Sequence, residues 1–212
     1  MNTSKRSNNK HKKDIMKKIS TQKVLVLGAL SLLAWPVATG AATATTTINS
    51  VISPVISLFT SSGSVSLNIT PTSAGAQTTA ADVVTVSTND SAGYTLTMSA
   101  TSTATSLVSG ANTITASTGT QAAPTVLTSG TWGYRVDGLG GFGATSTNSG
   151  SNTAITAVTF AGVPPSTTPV TLASTSASAS NFATNVWYSA AANYSQPSGT
   201  YTQGVTYTAT VK

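Results

Sequence analysis

Beyond residue 40 the sequence has five charged side chains: Asp82, Asp90, Asp137, Arg135 and Lys212. It has no cysteine and no glutamate, and its one histidine, His11, lies in an N-terminal basic segment. A Ser-His-Asp or Cys-His arrangement needs an imidazole to take the nucleophile's proton, so neither can be assembled. Zinc sites built from Cys and His are excluded on the same ground. Two chemistries survive that filter. Asp82 and Asp90 flank one strand, and paired carboxylates are the groups that hydrolyse glycosides. Asp90 or Asp137, with loop carbonyls, offers oxygen ligands for calcium. No ligand spacing supports either, and a strand start and a polar turn account for the same positions. GLGGFG at 138–143 leads into a Ser/Thr/Asn-rich loop rather than a helix, so it is not a phosphate cradle. The expectation is a protein that is not an enzyme, with no cofactor and no metal.

Aromatic residues are the next candidates. Trp132 and Tyr134 share one face of a strand with Val136, while Arg135 and Asp137 share the other. They read either as a core pair with an outward ion pair or as a platform on which a sugar stacks. Trp187 and Tyr188 are consecutive and point to opposite faces. Tyr188 shares parity with Phe182, Val186 and Ala190, which leaves Trp187 as the residue expected at the surface.

These side chains need strands to position them, and period-two alternation recurs throughout. SVSLNIT at 64–70, VVTVS at 83–87 and YTLTMS at 94–99 each alternate an apolar with a hydroxyl-bearing face. Further strands are expected at 131–137, 154–160, 169–174, 181–190 and in the closing GTYTQGVTYTATVK, with a short one near 112–116. NDSAG at 89–93 separates two of them as a hairpin connection. The run INSVISPVISLF at 48–59 is the most apolar piece of this region and carries Pro54, which confines it to an edge or a bend. It reads as a first strand switching between sheets, or as a segment donated to a neighbour. The expected fold is all-β, an antiparallel immunoglobulin-like β-sandwich preceded by an N-terminal signal helix.

The net charge of +6 suggests nucleic acid until the charges are located. Eight of the ten basic residues lie at or before Lys23, and the chain beyond carries two positive against three negative charges. The basicity therefore marks a targeting segment: basic residues 1–23, an apolar run at 24–38, and small residues at 39–44. Residues 1–44 read as a secretory signal peptide, cleaved after Gly40, Ala42 or Ala44 or retained as a membrane anchor. Residues 45–212 then form one sandwich domain with a mobile loop at 138–153. No sorting signal follows the last strand, so retention at a surface is expected to be non-covalent.

AGYTLTMSA at 92–100 and GTYTQGVTYTATVK at 199–212 resemble the two signature strands of WxL domains, the non-covalent wall-binding domains of bacterial surface proteins. Tyr94 and Leu96 match the first Trp-x-Leu motif with Tyr for Trp; Tyr207 and Ala209 take the second with both positions changed. The resemblance implies a secreted surface sandwich. The expected function is non-catalytic, wall-associated or adhesive, with a cell-wall polymer, a glycan or further copies of the chain as partner. Two alternatives stand beside it: a fibre-like subunit exchanging residues 48–59, and a carbohydrate-binding module using Trp187 or Trp132.

Overall fold

The computed structural model describes residues 40–144 and 150–212. The signal segment with its signal helix, apart from residues 40–44, and positions 145–149 of the expected loop lie outside the described residues. Among the described residues all the β structure belongs to the unit Ser50–Lys212; in the N-terminal unit, the described residues 40–49 are non-strand and exposed.

Twelve strands follow in chain order: β1 Ile56–Thr60, β2 Ala76–Thr88, β3 Tyr94–Ala100, β4 Leu107–Ser109, β5 Asn112–Ala116, β6 Thr125–Val126, β7 Thr131–Arg135, β8 Gly150–Thr153, β9 Thr159–Phe160, β10 Val170–Ser174, β11 Ala179–Ala192 and β12 Val205–Val211. The larger sheet runs β1-β2-β11-β7-β5-β4, with β8 also on β2; the smaller is β10-β3-β12, and β6 pairs β9. Alternation explains the two faces. Val84 and Val86 on β2, Val186 and Tyr188 on β11, and Trp132 and Tyr134 on β7 point one way. From the smaller sheet, Tyr94, Leu96 and Met98 on β3 and Leu172 on β10 meet them in one cluster. Each such side chain contributes about 1.5–3 kcal/mol by leaving water. On the reverse face of the large sheet a second cluster holds Leu127, Phe160 and Ala191. The all-β expectation is met, and two sheets share one core.

Several details differ from the sequence reading. The sheets are not purely antiparallel, because β5 pairs β7 in parallel, Thr115 opposite Thr131 and Ala116 opposite Trp132. The fourteen residues between them, 117–130, are long enough for the crossover that a parallel pair requires. NDSAG does not close a hairpin: β2 and β3 belong to different sheets, and the chain arches from one layer to the other. Both connections keep the same residues facing inward, so alternation cannot separate them. Asp90 shapes the arch by accepting the Ala92 N–H at 2.8 Å, and Gly93 completes it at φ +85°. The run at 64–70 keeps its alternation, with Val65, Leu67 and Ile69 packed on the core, yet forms no strand ladder. Of 48–59 only β1 is strand, an edge strand on β2. Of 154–160 only β9 is strand. The segment 138–153 is not one irregular loop, since it holds a 3-10 turn at Gly140–Phe142 and β8.

At Gly93 the backbone is left-handed, and a Cβ would strike the Thr175 carbonyl oxygen. At Gly110, in the β4–β5 turn, φ is also positive but a Cβ meets nothing within 4 Å. Gly93→Ala should therefore cost roughly 2–4 kcal/mol and Gly110→Ala about 1 kcal/mol. Urea unfolding of the two variants measures the difference, and equal losses would contradict the arch geometry.

Candidate functional site

The residues singled out for surface contact do not form a surface. Trp132, Tyr134 and Arg135 are all buried, so none is open to a sugar. Trp132 donates its indole N–H to the Thr105 carbonyl at 2.9 Å and stacks on Tyr188 with ring centroids 6.5 Å apart. Tyr134 reaches Gln121 Oε1 at 3.2 Å and meets the edge of Phe142 at 5.7 Å. Burial pushes the Tyr134 phenol up to about 12.

Arg135 was expected to face outward, and its strand parity is as predicted. The Gly140–Phe142 turn folds over it instead, placing the Phe142 ring 5.7 Å from the guanidinium. Its Nε donates to Asp137 Oδ1 at 2.6 Å, while Nη1 and Nη2 reach the carbonyls of Thr159 and Ala144, both at 3.3 Å. Trp187, opposite Arg135 on the neighbouring strand, donates its indole N–H to Asp137 Oδ2 at 3.1 Å. Trp187 is thus half-buried with its polar edge engaged, not a free-standing aromatic. The cluster fixes a covered cation and leaves it without an open position for substrate.

The motif positions are packing positions. β3 and β12 pair with Val211 opposite Tyr94 and Ala209 opposite Leu96. Tyr94 and Leu96 are fully buried, and Tyr207 and Ala209 pack against the same core. Tyr207 ties the layers together: its hydroxyl and that of Tyr188 share a hydrogen bond of 2.7 Å. Burial, then the neighbouring Tyr207, pushes Tyr188 well above the ordinary phenol value. Tyr207 is raised by burial, opposed by its bond with Tyr188 and reinforced by the Asp82 carboxylate. Asp82 accepts from Ser61 Oγ at 3.0 Å and from the Ser62 N–H at 3.2 Å. All three carboxylates therefore have structural partners: Asp82 at the end of β1, Asp90 in the arch and Asp137 under the turn.

This tyrosine pair lines a cleft of about 520 Å³, bounded on one side by Ser62–Val65 and Leu67 and on the other by Tyr201–Val205. Leu107 and Trp132 also line it. A second hollow of about 520 Å³ continues along Ser64–Ile69 and Gln196–Thr202. Gly204 packs against the Thr101 side chain at the cleft's edge. Sequence reasoning missed the cleft, because the alternation of Val65, Leu67 and Ile69 looks the same whether or not the backbone is paired. Chemically it offers a mixed lining of apolar side chains, aliphatic and phenol hydroxyls and one carboxylate.

Two outcomes follow. Asp137→Ala leaves buried Arg135 without its carboxylate and frees the Trp187 indole; it should cost roughly 2–4 kcal/mol and shift tryptophan emission to the red. An unchanged midpoint in urea would contradict the cluster. Tyr134, Tyr188 and Tyr207 have folded values above the ordinary 10.0, so their contribution is complete below pH 10 and lost as pH rises towards the folded values. Unfolding free energy should fall above pH 10, by up to about 1.4 kcal/mol per pH unit for each such tyrosine. Tyr188→Phe should flatten that decline.

Comparison with protein-family models, with curated proteins and with solved structures finds no match.

Proposed function

We propose that this chain is an exported, non-catalytic cell-surface protein with an immunoglobulin-like sandwich, akin to WxL domains, which works by contact with wall polymer, glycan or further copies of itself. The observation that carries this reading is the contrast between a hydroxyl-covered body and one exposed apolar run. On the outer face of the small sheet, Thr95 and Thr97 lie opposite Thr210 and Thr208. Against that surface Val51, Ile52, Val55 and Phe59 stand exposed. Apolar groups gathered in this way mark a contact site. The engagement of all three carboxylates within the fold supports a role without bond chemistry.

Among the narrower readings, the exposed run favours a fibre-like subunit in which residues 48–59 meet a neighbour. The carbohydrate module is less supported, because Trp132 is covered and the Trp187 indole is held by Asp137. Fractionation of cells producing the tagged full chain tests export: recovery in the envelope or medium is expected, and recovery in the cytoplasm overturns the proposal. In a peptidoglycan pull-down Trp187→Ala should be retained like the parent; a several-fold loss would restore the aromatic reading.

A further inference from the structure

The run from Val65 to Ile69 is extended, turns Val65, Leu67 and Ile69 to the core, and yet is almost unpaired along its backbone. Only the Asn68 carbonyl has a partner, the Thr78 hydroxyl at 2.7 Å; the remaining N–H and C=O groups of these five residues make no hydrogen bond among the described residues. Across the cleft, Thr202 is paired with Val108 through both its N–H and its C=O, but β12, whose Val205 and Tyr207 line the cleft, pairs β3 on one edge and no strand on the other among the described residues. The unpaired run 65–69 and the open edge of β12 thus border one cleft. Extended backbone packed on a core normally has its polar groups satisfied, and an open edge is a template for one more strand.

We propose that the cleft between residues 65–69 and 201–205 accepts Ile48–Ile52 of a second copy as an added β-strand. The inference deepens the fibre-like reading above and rests on it. Several features select this occupant. Ile48, Val51 and Ile52 are 89%, 90% and 83% exposed. The five residues match the run 65–69 in length, and Pro54, which cannot donate to a ladder, lies just beyond them. Charge agrees as well: no charged residue occurs between Gly40 and Ala81, and the charge on the cleft wall, Asp82, would repel an acidic strand but not a neutral one.

The occupant comes from another molecule because of where the arm is tied. Asn89 holds Ser53 and Val55, donating to the Ser53 carbonyl at 3.1 Å and accepting the Val55 N–H at 2.7 Å. That tether is at the start of β1, whereas Thr60 and Ser62 at its other end line the cleft. The intervening strand spans about 17 Å, and five extended residues span about 16 Å. An arm of the same chain barely reaches the mouth and cannot run along the walls. Donor and acceptor are different surfaces, so the contact is head-to-tail and passes from copy to copy, as an open chain or a closed ring.

The test uses the exported protein, with size-exclusion chromatography and light scattering over a range of concentrations. The parent should form a concentration-dependent ladder, and the Ile48→Asp/Ile52→Asp variant, altered only at exposed positions, should run as monomer with an unchanged melting temperature. Because the sequence has no cysteine, a mixing experiment adds position. Chains carrying Ser50→Cys, mixed with chains carrying Ser66→Cys or Asn68→Cys, should form a mixed disulfide; Thr208→Cys on the outer face of the small sheet should not. A ladder that survives in the double variant, or cross-linking no better than with Thr208→Cys, overturns the proposal. A strictly monomeric parent recovered from the cell surface also overturns it while leaving the contact function standing.

Discussion

The ladder between β2 and β11 is the interaction on which the rest of the structure hangs. Its register runs from Phe182 opposite Val86 to Ala192 opposite Ala76, with one irregularity near Ala179. Every other piece of the large sheet attaches to one of these two strands or to a strand they hold: β1 and β8 on the outer edge of β2, β7 on β11, then β5 and β4. One face presents Val84, Val86, Val186 and Tyr188 to the smaller sheet. The other places Gln77, Thr79 and Ser189 together, with Gln77 Nε2 donating to Ser189 Oγ at 2.9 Å and the two hydroxyls 2.7 Å apart. A long antiparallel ladder thus serves two cores of different chemistry at once.

Hydroxyl groups take the place that charges occupy in most domains of this size. Ser61 caps Asp82, Thr175 receives the Tyr94 N–H, and Thr78 receives the Asn152 N–H. Each bond is worth about 1 kcal/mol net, but leaving such a group buried without a partner costs more. Tyr94 Oη and Thr184 Oγ1 are the buried side-chain atoms among the described residues without a partner. Both lie where β3 and β11 face each other near Phe182, whose ring meets Tyr94 edge-on at 6.2 Å.

Much of this was legible in the sequence. β3, β7, β10, β11 and β12 fall where alternation placed them, because a half-buried strand writes its burial into period two. What alternation cannot record is which edge a strand offers and to whom. The arch at 89–93 was therefore read as a hairpin, and the unpaired run at 64–70 as an ordinary strand. The parallel pairing of β5 with β7 depends on the path of residues 117–130, a stretch without periodic signal. Phe182 has the parity of the core residues Val186 and Tyr188 and meets Tyr94, but it lies at the end of the regular β2–β11 register and is 45% exposed. Among candidate site residues, Trp132 and Tyr134 as core were one of two readings; the covering of Arg135 depended on Phe142, five residues beyond Asp137 in a glycine-rich stretch that carries no strand pattern.

The sealing of Arg135 beneath Phe142 also shapes how this body meets other molecules. Beyond Lys23 the sequence has two cations, and with Arg135 enclosed only Lys212 faces solvent. Asp82 is enclosed too, and Asp137 is shared between a guanidinium and an indole. With Asp90 and Lys212 as the charges left at the surface of residues 50–212, the long-range field is weak, so an approaching molecule is steered little towards this surface and added salt changes little. Its encounters are those of neutral diffusion, and the lifetime of a contact, more than the rate of finding it, sets how strongly it holds.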